Sequence, residues 1–205
     1  MSDITIIDYG SGNILSIYNG FKKIGMEVNV SDDIRVIANS DAIILPGVGA
    51  FGAVMNNLVN YRQVLYEHIK DDKPLLGICL GLQVLFTDSE ESPDAEGLNI
   101  FNGSVKRFNL PNEYKIPHMG WNQIRVNDTS LNNTSLLDNV DNEYMYFVHS
   151  YYIEPEDKNL ITATCDYGMD VPVAIGKDNL HALQFHPEKS GKAGLEILKN
   201  FVDTI

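Results

Sequence analysis

The first half of the chain alternates between two hydrophobic periods. Short apolar runs at Asp3–Asp8, Met26–Val30, Ala42–Leu45 and Leu75–Ile78 read as strands. Between them, apolar positions recur at helical spacing. Ile14, Ile17, Tyr18, Phe21 and Ile24 share one helical face, and Gly25 is a stop signal. A helix of about 18 residues is expected from Ala50 toward Lys70, and Leu80–Phe86 begins another. Repeated βα units imply a parallel sheet with helices on both faces. After Thr87 the pattern changes to short strand candidates: Trp121–Val126, Tyr144–Val148, Asn159–Cys165, Val171–Ile175 and Leu180–Phe185. The region from Lys115 to Ile175 therefore adds an antiparallel portion. Lys192–Val202 is a closing helix, with Ala193, Leu195, Leu198 and Val202 as its apolar positions. The expected fold is α/β in three layers: a mostly parallel sheet, helices on both faces and the added antiparallel portion. There is no internal repeat, low-complexity tract or linker, so residues 1–205 read as a single domain.

Composition narrows the function classes. A chain of 205 residues with 44% hydrophobic content suits one globular core. A formal charge of −13 repels phosphate polyanions, so nucleic acid is not an expected partner. No run approaches the roughly 18 apolar residues of a membrane span. The start, Met1-Ser2-Asp3-Ile4, has neither a basic region nor a leader-like apolar segment, and a cytoplasmic location is expected. Cys79 and Cys165 are then reduced thiols. Cys165 lies in the alternating run Thr162–Cys165 and reads as a core thiol. The Asn-x-Ser/Thr triplets at Asn102, Asn127 and Asn133 are chance matches without a secretory route. The acidic stretch Thr87–Gly97, with Glu90, Glu91 and Asp94, reads as a solvated loop, because carboxylates alone at that spacing make no metal cage.

The strongest chemical signal is Pro74-Leu75-Leu76-Gly77-Ile78-Cys79-Leu80-Gly81-Leu82-Gln83. An apolar strand ends in a cysteine between two glycines, the layout of a nucleophile elbow. The glycines let neighbouring backbone crowd the turn. The turn lifts the thiol to a helix N-terminus, where the dipole and free N–H groups favour thiolate. The Leu80 N–H points where an oxyanion would form. Taken alone, the residues also fit a buried free cysteine beside a tight turn.

A cysteine nucleophile needs a base and an orienting group. His68 falls late in a surface helix and looks incidental. His181 lies inside a strand, and its odd separation from His186 places the two on opposite faces, which argues against a shared metal. His186 ends the apolar strand Ala182-Leu183-Gln184-Phe185, where reactive groups of α/β sheets gather. Pro187 holds it extended, so Glu188 at i+2 can reach the imidazole. A surface pair is the alternative. Pro46-Gly47-Val48-Gly49, past another strand, can turn a peptide N–H toward an oxyanion, or be an ordinary strand-end turn.

Gly77-Ile78-Cys79-Leu80-Gly81-Leu82-Gln83 with His186-Pro187-Glu188 resembles the class I (triad) glutamine amidotransferase family. Further segments resemble its branch of glutaminase subunits of imidazole glycerol phosphate synthase: Asp8–Asn13, Pro46–Phe51, Pro117-His118-Met119-Gly120-Trp121-Asn122, Tyr146–Tyr151 and Phe185–Ser190. They span nearly the whole chain. Anthranilate- and guanylate-type relatives differ after the oxyanion-strand proline and usually carry histidine where Leu82 stands. Ser190-Gly191 departs from the serine pair often seen after the lysine.

The resemblance implies a triad of Cys79, His186 and Glu188 that converts glutamine to glutamate and ammonia through a glutamyl thioester. It implies oxyanion donors at Val48 and Leu80, and glutamine contacts at Gly49, Gln83, His149, Ser150 and Tyr151. It implies a partner, a separate (βα)8-barrel cyclase subunit that uses the ammonia, because the chain ends directly after Lys192–Val202. It also places the partner interface at Asn13, Met119, Trp121 and Lys189, whereas composition alone leaves Trp121 as core anchor or interface hot spot. No metal or cofactor is expected. An amidotransferase subunit of another synthase, a non-catalytic binding subunit of this fold and a thiol protease with a similar elbow are the rival readings.

Overall fold

A computed structural model describes residues 3–127 and 134–205. Asn133, which opens the third triplet, and the last two residues of the one at Asn127 lie outside the described residues. The first half holds β1 (Ile4–Ile7), α1 (Ile14–Lys23), β2 (Asn29–Ser31), which starts three residues later than the expected Met26–Val30, α2 (Ile34–Asn39), which was not expected, β3 (Ala42–Leu45), α3 (Phe51–Leu58), α4 (Arg62–Lys70), β4 (Leu75–Ile78) and α5 (Leu80–Gln83). Then come β5 (Asp88–Ser89), β6 (Gly103–Arg107), β7 (His118–Val126), β8 (Tyr144–His149), β9 (Tyr151–Pro155), β10 (Ile161–Asp166), β11 (Asp170–Lys177), β12 (Leu180–Leu183) and α6 (Gly191–Val202).

A nine-stranded sheet runs in the order β2-β1-β3-β4-β12-β11-β10-β7-β8. From β2 to β12 neighbouring strands are parallel, and from β12 to β8 they are antiparallel. The antiparallel wing is the portion expected from Lys115 onward. A second, three-stranded sheet, β5-β6-β9, covers one flank.

Strand alternation builds a core on each face. Ile4, Ile6, Ile44 and Ile78 pack with Ile17 and Phe21 of α1 and Leu198 and Phe201 of α6. Ile7, Ile43 and Leu45 pack with Ile37, Phe51, Val54 and Leu65 from α2, α3 and α4. These are the three expected layers. The parallel strands all end toward one edge, which collects Pro46–Gly49, Cys79 and His186.

Three local expectations fail. The helix from Ala50 to Lys70 is broken by a 3₁₀ turn at Val59–Tyr61. The helix over Leu80–Phe86 is a single turn, because the carbonyls of Val84, Leu85, Phe86 and Thr87 accept instead from Leu98, Ile100, Asn99 and Gly97. His68 is not incidental surface: it is 3% exposed, and its Nε2 lies 3.0 Å from the Pro74 carbonyl. Cys165 is a core thiol, as expected, and burial first of all pushes it up to about 12.

Candidate active site

Cys79 closes β4 with φ 57° and ψ −111°, a state costing an L-residue on the order of 1–3 kcal/mol. Its N–H donates to the Leu183 carbonyl at 2.7 Å, which anchors the strained residue to β12. The flanking glycines serve by close approach. A Cβ on Gly81 would sit 2.0 Å from the Leu45 carbonyl oxygen, and one on Gly77 2.8 Å from that of Gly81. A Cβ on Gly47 would meet the Gly81 nitrogen at 2.5 Å, so the elbow and the end of β3 interlock. With α5 reduced to one turn, few peptides are aligned behind the sulfur, and the dipole expected to favour thiolate shrinks to local N–H groups.

His186 is extended, at φ −100° and ψ 96°, and its N–H donates to Tyr146 at 3.0 Å. Glu188 reaches it not through extended chain, as expected, but through a 3₁₀ turn over Pro187–Lys189. The turn brings Glu188 Oε1 to 2.9 Å from His186 Nδ1, with the two side chains 0% and 2% exposed. Ser190 fastens the turn: its hydroxyl donates to the His186 carbonyl at 2.6 Å and accepts from the Tyr146 N–H at 3.0 Å. Gly20 of α1 leaves the room, since a Cβ there would meet Glu188 Cβ at 3.2 Å.

Burial alone would lower the imidazole of His186. Interactions with Cys79 and then Glu188 outweigh it and push His186 up to about 9. Cys79 is thus near enough to influence the ring, although the buried Nε2 makes no hydrogen bond of ordinary distance and angle. An imidazole that stays protonated at neutral pH thus stands beside the cysteine.

Cys79, Leu80, Val48, Gly49, Gln83, His149, Ser150, Tyr151 and His186 line one cleft of about 310 Å³. That lies at the lower end of the range for small-molecule sites, about 300–1,000 Å³. The two expected oxyanion donors are not assembled in it. The Leu80 N–H donates to the Gly47 carbonyl at 3.3 Å. In a trans peptide the carbonyl and the following N–H point opposite ways, so the Val48 N–H is turned from the elbow. Ser11 Oγ holds the next carbonyl, Val48 O, at 2.6 Å. The Gly47–Val48 peptide turns about ψ of Gly47, a rotation that glycine leaves open, and Gly49 follows it at φ 104°.

His149 lines the cleft, but both its nitrogens are committed. Nδ1 is 2.8 Å from the Tyr151 carbonyl and Nε2 is 3.0 Å from His118 Nδ1. Burial lowers His149 to about 3 and His118 to about 4, so both are neutral rings. His118 and the fully buried Gln184 are polar groups beside the site to which the sequence assigned no role. The signal for Gln184 was a lone amide in the apolar run Ala182–Phe185.

The acidic loop is less free than expected. Glu91 Oε2 accepts from the Phe51 N–H that opens α3, at 2.7 Å, and Glu90 accepts from the Arg107 N–H at 2.8 Å. Among the described residues, no cluster of three or more His, Cys, Asp or Glu is placed to hold a metal ion, and no helix is long and apolar enough to cross a membrane. Trp121 is 55% exposed and Met119 63%, which excludes the core reading of Trp121. Lys189 is also exposed, its Nζ 5.8 Å above the Tyr146 ring. Asn13 starts α1, its carbonyl accepting from Ser16 and Ile17.

The model of the glutamine amidotransferase class-I family matches residues 5–205. The chain is 52% identical over 202 residues to the imidazole glycerol phosphate synthase subunit HisH of Methanothermobacter thermautotrophicus, covering 98% of both chains. It is 42% identical to the chloroplastic imidazole glycerol phosphate synthase hisHF of Arabidopsis thaliana, covering 98% of this chain and 34% of that protein. A crystal structure of a glutamine amidotransferase superimposes with a TM-score of 0.75 at 15% identity, covering 98% of this chain and 97% of the other, a likeness of fold. With an interlocked cysteine elbow, a buried histidine–carboxylate pair beside it and a family match over nearly its whole length, this chain belongs to the class I glutamine amidotransferase family.

Proposed function

We propose that the chain is the glutaminase subunit of an imidazole glycerol phosphate synthase, and that it passes ammonia to a separate (βα)8-barrel cyclase subunit. The observation that carries this reading is the convergence of Cys79, His186 and Glu188 at the edge where the parallel strands end, beside a cleft of amino-acid size. The high identity to HisH over the full chain supports the choice of synthase.

The arrangement supports the following chemistry. The Cys79 thiolate attacks the side-chain amide carbon of glutamine, and the carbonyl π electrons move onto oxygen. Collapse of the tetrahedral adduct breaks the C–N bond. Imidazolium His186 gives its Nε2 proton to the leaving nitrogen, which departs as ammonia, and a glutamyl thioester remains. Neutral His186 then takes a proton from water, whose oxygen attacks the thioester. Glutamate leaves and the thiolate–imidazolium pair is restored. Glu188, fixed on Nδ1, holds the ring orientation and stabilises its cationic form. In the cyclase, the ammonia reacts with a phosphoribulosyl aminoimidazole carboxamide nucleotide, giving imidazole glycerol phosphate and an aminoimidazole carboxamide ribotide.

Glutamine hydrolysed without a partner would lose its ammonia to water. The Gly47–Val48 peptide offers a restraint. With its carbonyl on the Leu80 N–H, both oxyanion donors are withheld, and one such donor is worth roughly 10²–10³ in rate. Partner contacts at Met119, Trp121 and Lys189 favour the turned peptide, in which the N–H groups of Val48 and Leu80 both face the oxyanion. Steady-state glutamine hydrolysis by the chain, by its complex with a candidate cyclase and by the complex with the nucleotide tests this reading. Turnover should rise in that order, and equal turnover in all three would refute it.

A further inference from the structure

We propose that Gln184 is a positioning residue for the nucleophile, its side-chain amide locked so that an N–H faces the Cys79 thiolate. This rests on the reading of Cys79 as the nucleophile. Gln184 follows β12 and is fully buried. Its Nε2 lies 3.9 Å from Cys79 Sγ, within range of a long N–H···S hydrogen bond.

The orientation of the amide is settled by its neighbours. The Tyr151 carbonyl can only accept. Gln83 Nε2 lies 3.2 Å from it, so Gln83 turns its NH₂ that way. The same nitrogen is 2.9 Å from Gln184 Oε1, so that atom must be the oxygen, and the Gln184 NH₂ is left facing the sulfur. A flipped Gln184 would set two NH₂ groups against each other and an oxygen against a thiolate. The Tyr151 carbonyl is itself held by His149 Nδ1–H, and His149 Nε2, necessarily an acceptor, receives the His118 Nδ1–H. His118 Nε2 faces Asn122 Nδ2 at 3.4 Å. An ordered run of donors thus leads from exposed strand β7 to the carbonyl that orients the two glutamines.

Beyond the His186 imidazolium, the sulfur has few other sources of stabilisation. The helix behind it is one turn long. Tyr9, from the loop after β1, spends its hydroxyl on the Pro46 carbonyl. Glu91, after β5, is bound to Phe51. His149, at the end of β8, has no free N–H. His186 and Glu188 form the charged pair beyond β12. Gln184 Nε2 adds a side-chain N–H to the sulfur from the side of β12.

The test is the pH dependence of iodoacetamide alkylation of the full chain, read by mass spectrometry on the Cys79 peptide, for wild type, Gln184→Leu and Gln184→Met. Both variants fill the same space without a polar atom, and Met, unbranched at Cβ and Cγ, guards against misfolding of the Leu variant. The alkylation midpoint should rise by about one pH unit in each, or about tenfold less thiolate at a fixed pH below it. Gln184 is not in the cleft lining, so kcat for glutamine should fall, and any change in KM comes through the freed Gln83 and is smaller than the loss in kcat. Superimposable alkylation profiles for folded wild type and variants would overturn the proposal. Alkylation uses no glutamine, so this outcome is independent of whether the chain hydrolyses it.

Discussion

Replacing Glu188 by Gln keeps an acceptor 2.9 Å from His186 Nδ1 and removes only the charge. In the wild type the buried imidazole, despite its desolvation, is pushed up to about 9 by Cys79 and Glu188. Losing an opposite charge in contact lowers such a group by about 1–3 pH units, or roughly 1.4–4 kcal/mol of imidazolium stabilisation. The alkaline limb of kcat/KM for glutamine, measured on the complex, should therefore move from about 9 to at least one unit lower. The sign of the stability effect follows. A folded-state value raised above the ordinary 6.5 stabilises fully below pH 6.5 and is lost as pH rises through about 9. For His186 as a whole this is at most about 3.4 kcal/mol, part of it owed to Cys79. Denaturant unfolding at pH 6 and pH 9.5 should show a larger stability loss in the wild type than in Glu188→Gln. An unmoved alkaline limb, or equal losses in both proteins, would refute the assigned role of Glu188.

Cys79→Ala should abolish glutamine hydrolysis while the chain stays folded and the complex still works with ammonium salts; residual glutaminase activity in the purified variant ends the nucleophile assignment. His186→Ala should be as damaging and Glu188→Gln milder, with the His186→Ala, Cys79→Ala double variant losing little more than the worse single one; additive losses would separate the residues. Gly81→Ala drives a Cβ to 2.0 Å from the Leu45 oxygen and should cost at least about 1–3 kcal/mol in thermal unfolding, with loss of activity. Trp121→Ala should leave the chain's own stability within about 0.5 kcal/mol, since the residue is 55% exposed, yet weaken cyclase binding by about 2 kcal/mol, roughly thirtyfold, in calorimetry.

The layered α/β core was legible because Ala42–Leu45 and Leu75–Ile78 are apolar throughout, Ile4–Ile7 is interrupted only by Thr5, and the apolar positions of α1 keep helical spacing. The elbow was legible because glycine at 77 and 81 has one strong cause, backbone packed within contact of an absent Cβ. The extent of α5 was not. Nothing in Val84-Leu85-Phe86 opposes a helix, and it ends because residues 97–101, distant in sequence, take its carbonyls. The approach of Glu188 to His186 was foreseen with the wrong geometry, since Pro187 suits the first position of a 3₁₀ turn as well as an extended strand. The orientation of the Gly47–Val48 peptide is a conformational choice that glycine leaves open. The partners of His118, His149 and Gln184 come from separate strands, so their hydrogen bonds have no local signature.

The chemistry proposed for Cys79 is tested most directly by acid quenching the chain with its cyclase, nucleotide and glutamine, and analysing the cysteine peptides by mass spectrometry. A glutamyl adduct on Cys79, absent from Cys165 and accumulating when thioester hydrolysis is slowed, is the predicted result. Steady glutamine turnover with no adduct on Cys79, or undiminished turnover in Cys79→Ala, would contradict it.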